Sequence, residues 1–191
     1  MLISNDFEVA QPVSKVWEFF GDIPRVARCL PGAQLTENLG DDKYGGRVAV
    51  RMGPVRLQFA GAAEITERDE AGKRIVVHAA GADERGRGQA SMVVTAALTP
   101  SGSGTKIAVT QDLQLAGAAA QYGRGMISDV TAVLMRDFSA NMASQIAAAE
   151  RGETVQAAAA PAGGLAIGLR AALMALRRVF RRFFVPYQAT S

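Results

Sequence analysis

The sequence predicts an α+β helix-grip fold: a strongly curved antiparallel sheet wrapped round one long C-terminal helix, with an apolar cavity between them. Three observations predict it. Turn signals divide residues 33–115 into short segments of alternating polarity, with no room for crossover helices, and that describes an antiparallel meander. Over residues 117–149 the apolar period changes from about 2 to about 3.6, with no proline, so the sheet is followed by one long helix. A short strand and two short helices stand ahead of the meander.

The elements follow in order. Phe7 and Val9 alternate with Glu8 and Ala10 in a short first strand. Pro12 suits a first helical turn, and Val13, Val16, Trp17, Phe19 and Phe20 recur at helical spacing up to Gly21. Asp22 is placed to cap a second short helix through Ile23, Val26 and Ala27. Leu30-Pro31-Gly32 is a turn. Strands are expected over 44–52, 55–68, 73–80, 85–99 and 105–115, broken at Gly40-Asp41-Asp42, at Gly53-Pro54, at Asp69 to Gly72 and at Pro100 to Gly104. Leu57, Phe59, Gly61, Ala63 and Ile65 share one face of their strand. Ile107, Val109, Leu113 and Leu115 are opposed by Lys106, Thr110, Asp112 and Gln114. In the long helix Tyr122, Met126, Val130, Val133, Leu134, Phe138, Met142 and Ile146 form the apolar stripe. The expected organisation is a body over 1–150, an Ala/Gly/Pro linker over 151–164 and a further helix over 165–185.

Composition excludes several classes. With 49% hydrophobic and 20% charged residues among 191, the chain is too apolar for disorder. No stretch reaches the ~18 uncharged apolar residues of a spanning helix. The start, MLISNDFEVAQP, has no basic region followed by an apolar one, so no secretory signal is expected and the body is read as cytoplasmic. Residues 1–151 carry 16 Lys/Arg against 17 Asp/Glu, whereas residues 152–191 carry five arginines and one acid. A nearly neutral body argues against a nucleic-acid-binding face.

Catalytic and metal chemistry find no support. One cysteine, Cys29, and one histidine, His78, exclude a thiolate cluster, a disulfide framework and any two-imidazole site. Gly86-Arg87-Gly88 never completes a dinucleotide fingerprint, and Gly123-Arg124-Gly125 lacks the Lys-Ser/Thr of a phosphate loop. The pairs Asp41-Asp42, Asp69-Glu70 and Asp83-Glu84 fall at turns, which explains them. His78 reads as outward-facing and Cys29 as a small buried filler. No His, Asp or Glu is expected on the inward face.

The inward face is instead rich in small residues: Gly61 and Ala63, Ala79 and Gly81, Gly86, Gly88, Ala90 and Ala96. Small side chains under a helix leave volume for a ligand; the other explanation is that the glycines are bends that let the sheet curl. The cavity lining is expected from Phe59, Ala63, Met92, Leu113 and Leu115 on the sheet and Tyr122, Met126, Val130 and Leu134 on the helix. These same residues would also serve simply by packing on one another.

The tail has its own pattern. On a helical wheel, Leu169, Leu173, Leu176, Phe180, Phe183 and Phe184, with Ala172 and Val179, fall within roughly 140°. Arg170, Arg177, Arg178, Arg181 and Arg182 take the opposite side, with Ile167 and Met174 as exceptions there. Such a helix suits an anionic membrane surface, apolar side down and arginines on the phosphates. Docking on a protein partner, or on its own body, uses the same pattern.

These residues resemble a family. Phe7-Glu8-Val9 with Pro12 and Val16-Trp17, then Cys29-Leu30-Pro31-Gly32, Tyr44, Met52-Gly53-Pro54-Val55, Phe59-Ala60-Gly61, Gly86-Arg87-Gly88-Gln89-Ala90 and Gly102-Ser103-Gly104-Thr105-Lys106 are similar to the carbon monoxide dehydrogenase CoxG family of the Bet v1-like/START-like (SRPBCC) superfamily. The resemblance spans residues 1 to about 149. It implies an accessory protein, not an enzyme, that recruits an aerobic CO dehydrogenase or a related molybdenum hydroxylase to the cytoplasmic face of the cell membrane as a peripheral protein. It also implies a respiratory quinone, menaquinone or ubiquinone, as the non-covalent guest for electron transfer. It carries over no catalytic residue and no metal. The alternatives are a cavity-based cyclase or hydrolase and a membrane tether without a ligand.

Overall fold

The computed structural model describes residues 1–152. The amphipathic helix expected over 165–185, and all of the linker after Arg151 and Gly152, lie outside the described residues. The elements are β1 (Leu2–Val9), α1 (Val13–Gly21), α2 (Ile23–Cys29), β2 (Ala33–Gly40), β3 (Lys43–Met52), β4 (Val55–Asp69), β5 (Arg74–Asp83), β6 (Gly88–Ser101), β7 (Gly104–Gly117), a 3-10 turn (Ala118–Gln121) and α3 (Arg124–Glu150). The seven strands form one antiparallel sheet in the order β1-β7-β6-β5-β4-β3-β2. From β2 to β7 each strand pairs with its successor, as a meander must, and β1 closes on β7. The helix-grip architecture is therefore the one the sequence predicts.

Local chemistry explains the joints. Asp41 and Asp42 both take positive φ, 49° and 57°, between β2 and β3, the twist that a two-residue hairpin needs. Gly53 does the same at φ 59° between β3 and β4. Asp22 caps α2 by accepting from the Arg25 amide at 3.1 Å. Asp69 closes the β4–β5 turn by accepting from the Gly72 amide at 2.9 Å. Midway along β4, Gly61 faces Gly81 of β5, and a Cβ at Gly61 would lie 2.0 Å from the Ala80 carbonyl oxygen. The two strands approach too closely there for any side chain, and β4 shifts register just beyond, between Ile65 and Glu67.

Two elements differ from expectation. β1 begins at Leu2 rather than near Phe7, because Ser4, Asn5 and Asp6 hide its alternation while β7 supplies a partner from Thr105 to Asp112. The N-terminal amine adds bonds to Asp112 Oδ1 at 3.1 Å and the Leu113 carbonyl at 2.7 Å. The helix expected from residue 117 begins at Arg124 instead. Tyr122 and Gly123 are extended, at ψ 130° and 148°, and two glycines in three residues give the helix no reason to start earlier. That delay decides which residues face the sheet.

Candidate functional site

Buried apolar residues form two clusters, not one. The first joins Val9, α1 and α2 (Val16, Phe19, Phe20, Cys29), Ile75, Ala96, Leu98, Ile107 and Val109 to Phe138, Met142 and Ile146 of α3. The second joins Ile3, Met52, Leu57, Phe59, Ala119 and Ile127, with Leu113, Leu115, Tyr122 and Ala90 packed on it. On each central strand the sheet passes from one cluster to the other through a position that belongs to neither. On β1 this is Asn5, between Ile3 and Phe7; on β7 it is Gln111, between Val109 and Leu113. On β6 it is Met92, between Ala90 and Val94; β5 and β4 contribute Ala79 and Ala63. Tyr44, Ala63, Ala79 and Met92 are successive cross-strand partners, so these positions form one continuous seam. On α3, Thr131 stands one turn beyond Ile127 and two turns before Phe138.

Ala63, Ala79, Gly81 and Met92 are half-buried, and Gly61 is exposed, although all stand on the side of the sheet that carries Leu57 and Phe59. The seam is thus both inward-facing and accessible. Two depressions of about 350 and 540 Å³ lie on the other side of the same strands, around Glu64, His78, Ser91 and Gln114, and around Ala82, Gln89 and Ala116.

The expected lining residues divide into three groups. Ala63 and Met92 lie in the seam. Phe59, Leu113, Leu115 and Tyr122 belong to the second cluster, where they pack on one another. Val130 is buried and Leu134 half-buried, and neither belongs to a cluster. Met126 does not face inward: it is 43% exposed, because α3 starts late and its first turn presents Ile127 to the sheet instead.

The polar residues also differ from expectation. Asp83 is more than a turn residue; it ends β5 across from Phe59, and its side chain is fully buried. Its carboxylate accepts from Arg87 Nε at 2.8 Å and a terminal Arg87 nitrogen at 2.9 Å, and from the amides of Gln58 at 3.0 Å, Arg85 at 3.2 Å and Arg87 at 3.3 Å. Arg87 reaches on to the Arg56 carbonyl at 2.7 Å, which clasps the β5–β6 loop to β4. The Arg87 guanidinium, then the Gln58 amide, hold the Asp83 carboxyl well below the usual carboxylate range. Every strong donor nearby is already bonded to it, so it is no general base. Asp129 of α3 is buried as well. The expectation of no inward acid therefore fails at Asp83, because loop closure brings in a residue that local pattern assigns to a turn. His78 is exposed on the outward side, across from Glu64, as expected. Cys29 is fully buried, and burial pushes its thiol up to about 11, with Arg25 pulling the other way.

Sequence reasoning misses Asn5 and Gln111. The period-2 pattern of β7 places Gln111 on the side of Val109 and Leu113, so a signal for it exists. In β1 the run Ser4-Asn5-Asp6 offers no such pattern.

The family model for the carbon monoxide dehydrogenase protein CoxG matches residues 6–147. The chain belongs to the CoxG family. No curated protein matches it. Among solved structures, this CoxG-family chain is similar to a conserved protein from Geobacillus kaustophilus, at 22% identity and TM-score 0.69 over 77% of this chain and 95% of that one. It is similar to the Zhui aromatase/cyclase from Streptomyces sp. R1128, at 15% identity and TM-score 0.58 over 81% and 99%. A Thermus thermophilus protein follows at 14% identity and TM-score 0.54 over 75% and 98%. These likenesses are of fold, the Bet v1-like helix-grip, and the seam lies where sheet and helix of that fold face each other. No helix among the described residues is long and apolar enough to cross a membrane.

Proposed function

We propose that this CoxG-family chain is an accessory protein that holds an apolar guest, a respiratory quinone, in the seam between sheet and α3. On this reading it brings a CO dehydrogenase or related molybdenum hydroxylase to the cytoplasmic membrane surface through a linker over 151–164 and an amphipathic helix over 165–185. One observation carries the ligand half of the reading: the core is divided in two by a belt of small and flexible side chains that solvent reaches. A core built only for stability closes such a belt, since uncovered apolar surface forgoes about 25 cal/mol per Å². Met92 in the belt adapts to a long guest. The family supports the partner half, and the +4 charge and apolar stripe of residues 152–191 support the membrane half.

The test is Ala63→Phe. Ala63 stands in the seam between Tyr44 and Ala79 and is half-buried. Phenylalanine there is expected to displace menaquinone or ubiquinone, measured by calorimetry, while the melting temperature hardly moves. If the seam is closed in solution the same change overpacks it and costs about 1–3 kcal/mol. A large fall in melting temperature with no quinone bound by either protein rejects the ligand and leaves the tether.

The membrane half has a separate test. Deleting residues 164–191 is expected to leave a folded body that no longer floats with anionic vesicles. Changing the five tail arginines to glutamine weakens flotation by about 1 kcal/mol each, an effect that high salt erases. Equal flotation of the full and shortened chains rejects it.

A further inference from the structure

The seam is not uniformly apolar. At its β1 end Asn5 Nδ2 and Gln111 Nε2 are both buried and have no hydrogen-bond partner among the described residues. Gln111 is only 8% exposed. Ile3 pairs with Gln111 and Asn5 with Val109, so the two amides are diagonal neighbours on one face, with Cα atoms about 7–8 Å apart. Long side chains reach across that gap. A buried donor left unmade costs more than a made hydrogen bond gains, so two of them side by side call for an explanation. Around them stand Ile3, Val94 and Leu113, all apolar. That setting disfavours a charged guest, since no counter-charge accompanies the amides there, and favours a neutral acceptor.

We propose that Asn5 and Gln111 form a two-donor subsite that binds the carbonyl oxygen of the apolar guest and so sets which end of it enters the seam. This rests on the reading that the seam holds a guest, and it adds the chemistry by which one guest is told from another. A ligand carbonyl satisfies both N–H groups at once; a hydrocarbon of the same shape leaves them orphaned, which is how a buried polar site rejects an analogue lacking the matching group.

The experiment compares two probes of one shape, 2-methyl-1,4-naphthoquinone and 2-methylnaphthalene, on the full chain and on Gln111→Met and Asn5→Leu. Each variant keeps the side-chain volume and removes the donor. The naphthoquinone is expected to lose roughly tenfold in affinity to each variant, while 2-methylnaphthalene binds the variants as well as the original chain. The carbonyl stretch of the bound quinone is expected at lower frequency in the original chain than in the variants. Without ligand both variants are expected to melt at or above the original temperature, because an orphaned polar group has been replaced by an apolar one. If the quinone binds all three proteins alike, the amides hold a water or nothing, and the subsite is overturned while the seam stands. If both variants melt well below the original chain, the amides are structural and the subsite is likewise overturned. If neither probe binds the original chain, the occupied seam falls, and the subsite with it.

Discussion

Phe138→Ala is expected to lower the stability of the folded body by about 3–5 kcal/mol, the range for truncating a buried aromatic. Phe138 is 7% exposed on α3, where the helix meets both β1 and α1. Its ring meets Phe7 edge-on at 6.2 Å and 74°, and Phe20 at 6.5 Å and 51°. Phe20 in turn meets Phe19 at 6.4 Å. Such pairs add about 0.5–1.5 kcal/mol beyond area burial. One ring thus ties the C-terminal helix to elements more than a hundred positions earlier in the chain, and alanine leaves a cavity that three separate elements would have to close. Urea unfolding measures the effect; a loss below about 1 kcal/mol would mean that α3 is held mainly elsewhere. Phe138→Leu keeps most of the volume and is expected to cost well under half as much.

Asp83→Ala is expected to have the second large effect, a fall in melting temperature of about 5–10 °C. The change leaves the amides of Gln58, Arg85 and Arg87 without their acceptor and frees the Arg87 guanidinium at a buried site. Asp83→Asn separates charge from hydrogen bonding. The Asp83 carboxyl sits below its ordinary value of 3.8, so its contribution is complete above about pH 4 and is lost as pH falls from there toward the folded-state value. The original chain should therefore lose stability between about pH 4 and 2 more steeply than Asp83→Asn, and the gap between them should narrow with acid. A constant gap across that range would show that the charge contributes nothing. Because the clasp closes the end of the second cluster, across from Phe59, its loss is also expected to loosen the seam.

The motif Gly86-Arg87-Gly88 illustrates how a recognisable string can hide its reason. The string is legible, and it marks the family. That Arg87 grips Asp83 and the Arg56 carbonyl is legible only once β4, β5 and the loop stand side by side.

What the sequence by itself determined is what depends on neighbours along the chain. The order of elements, the turn at Asp41 and Asp42, the cap at Asp22, the outward histidine and the small residues of β4 and β5 all follow from local sterics, local hydrogen bonds and period-2 alternation. The tertiary structure decided what depends on partners far away. β1 owes its full length to β7, and its N-terminal amine to Asp112, 111 positions on. α3 owes its inward face to where the extended Tyr122 and Gly123 let it start, which turned Met126 out and Ile127 in. The division of the core, and the two amides stranded in the gap, arise because Asn5 and Gln111 come from opposite ends of the body and meet only when the first strand closes on the last. Pairing energy between distant strands is no property of either segment alone, and so neither segment announces it.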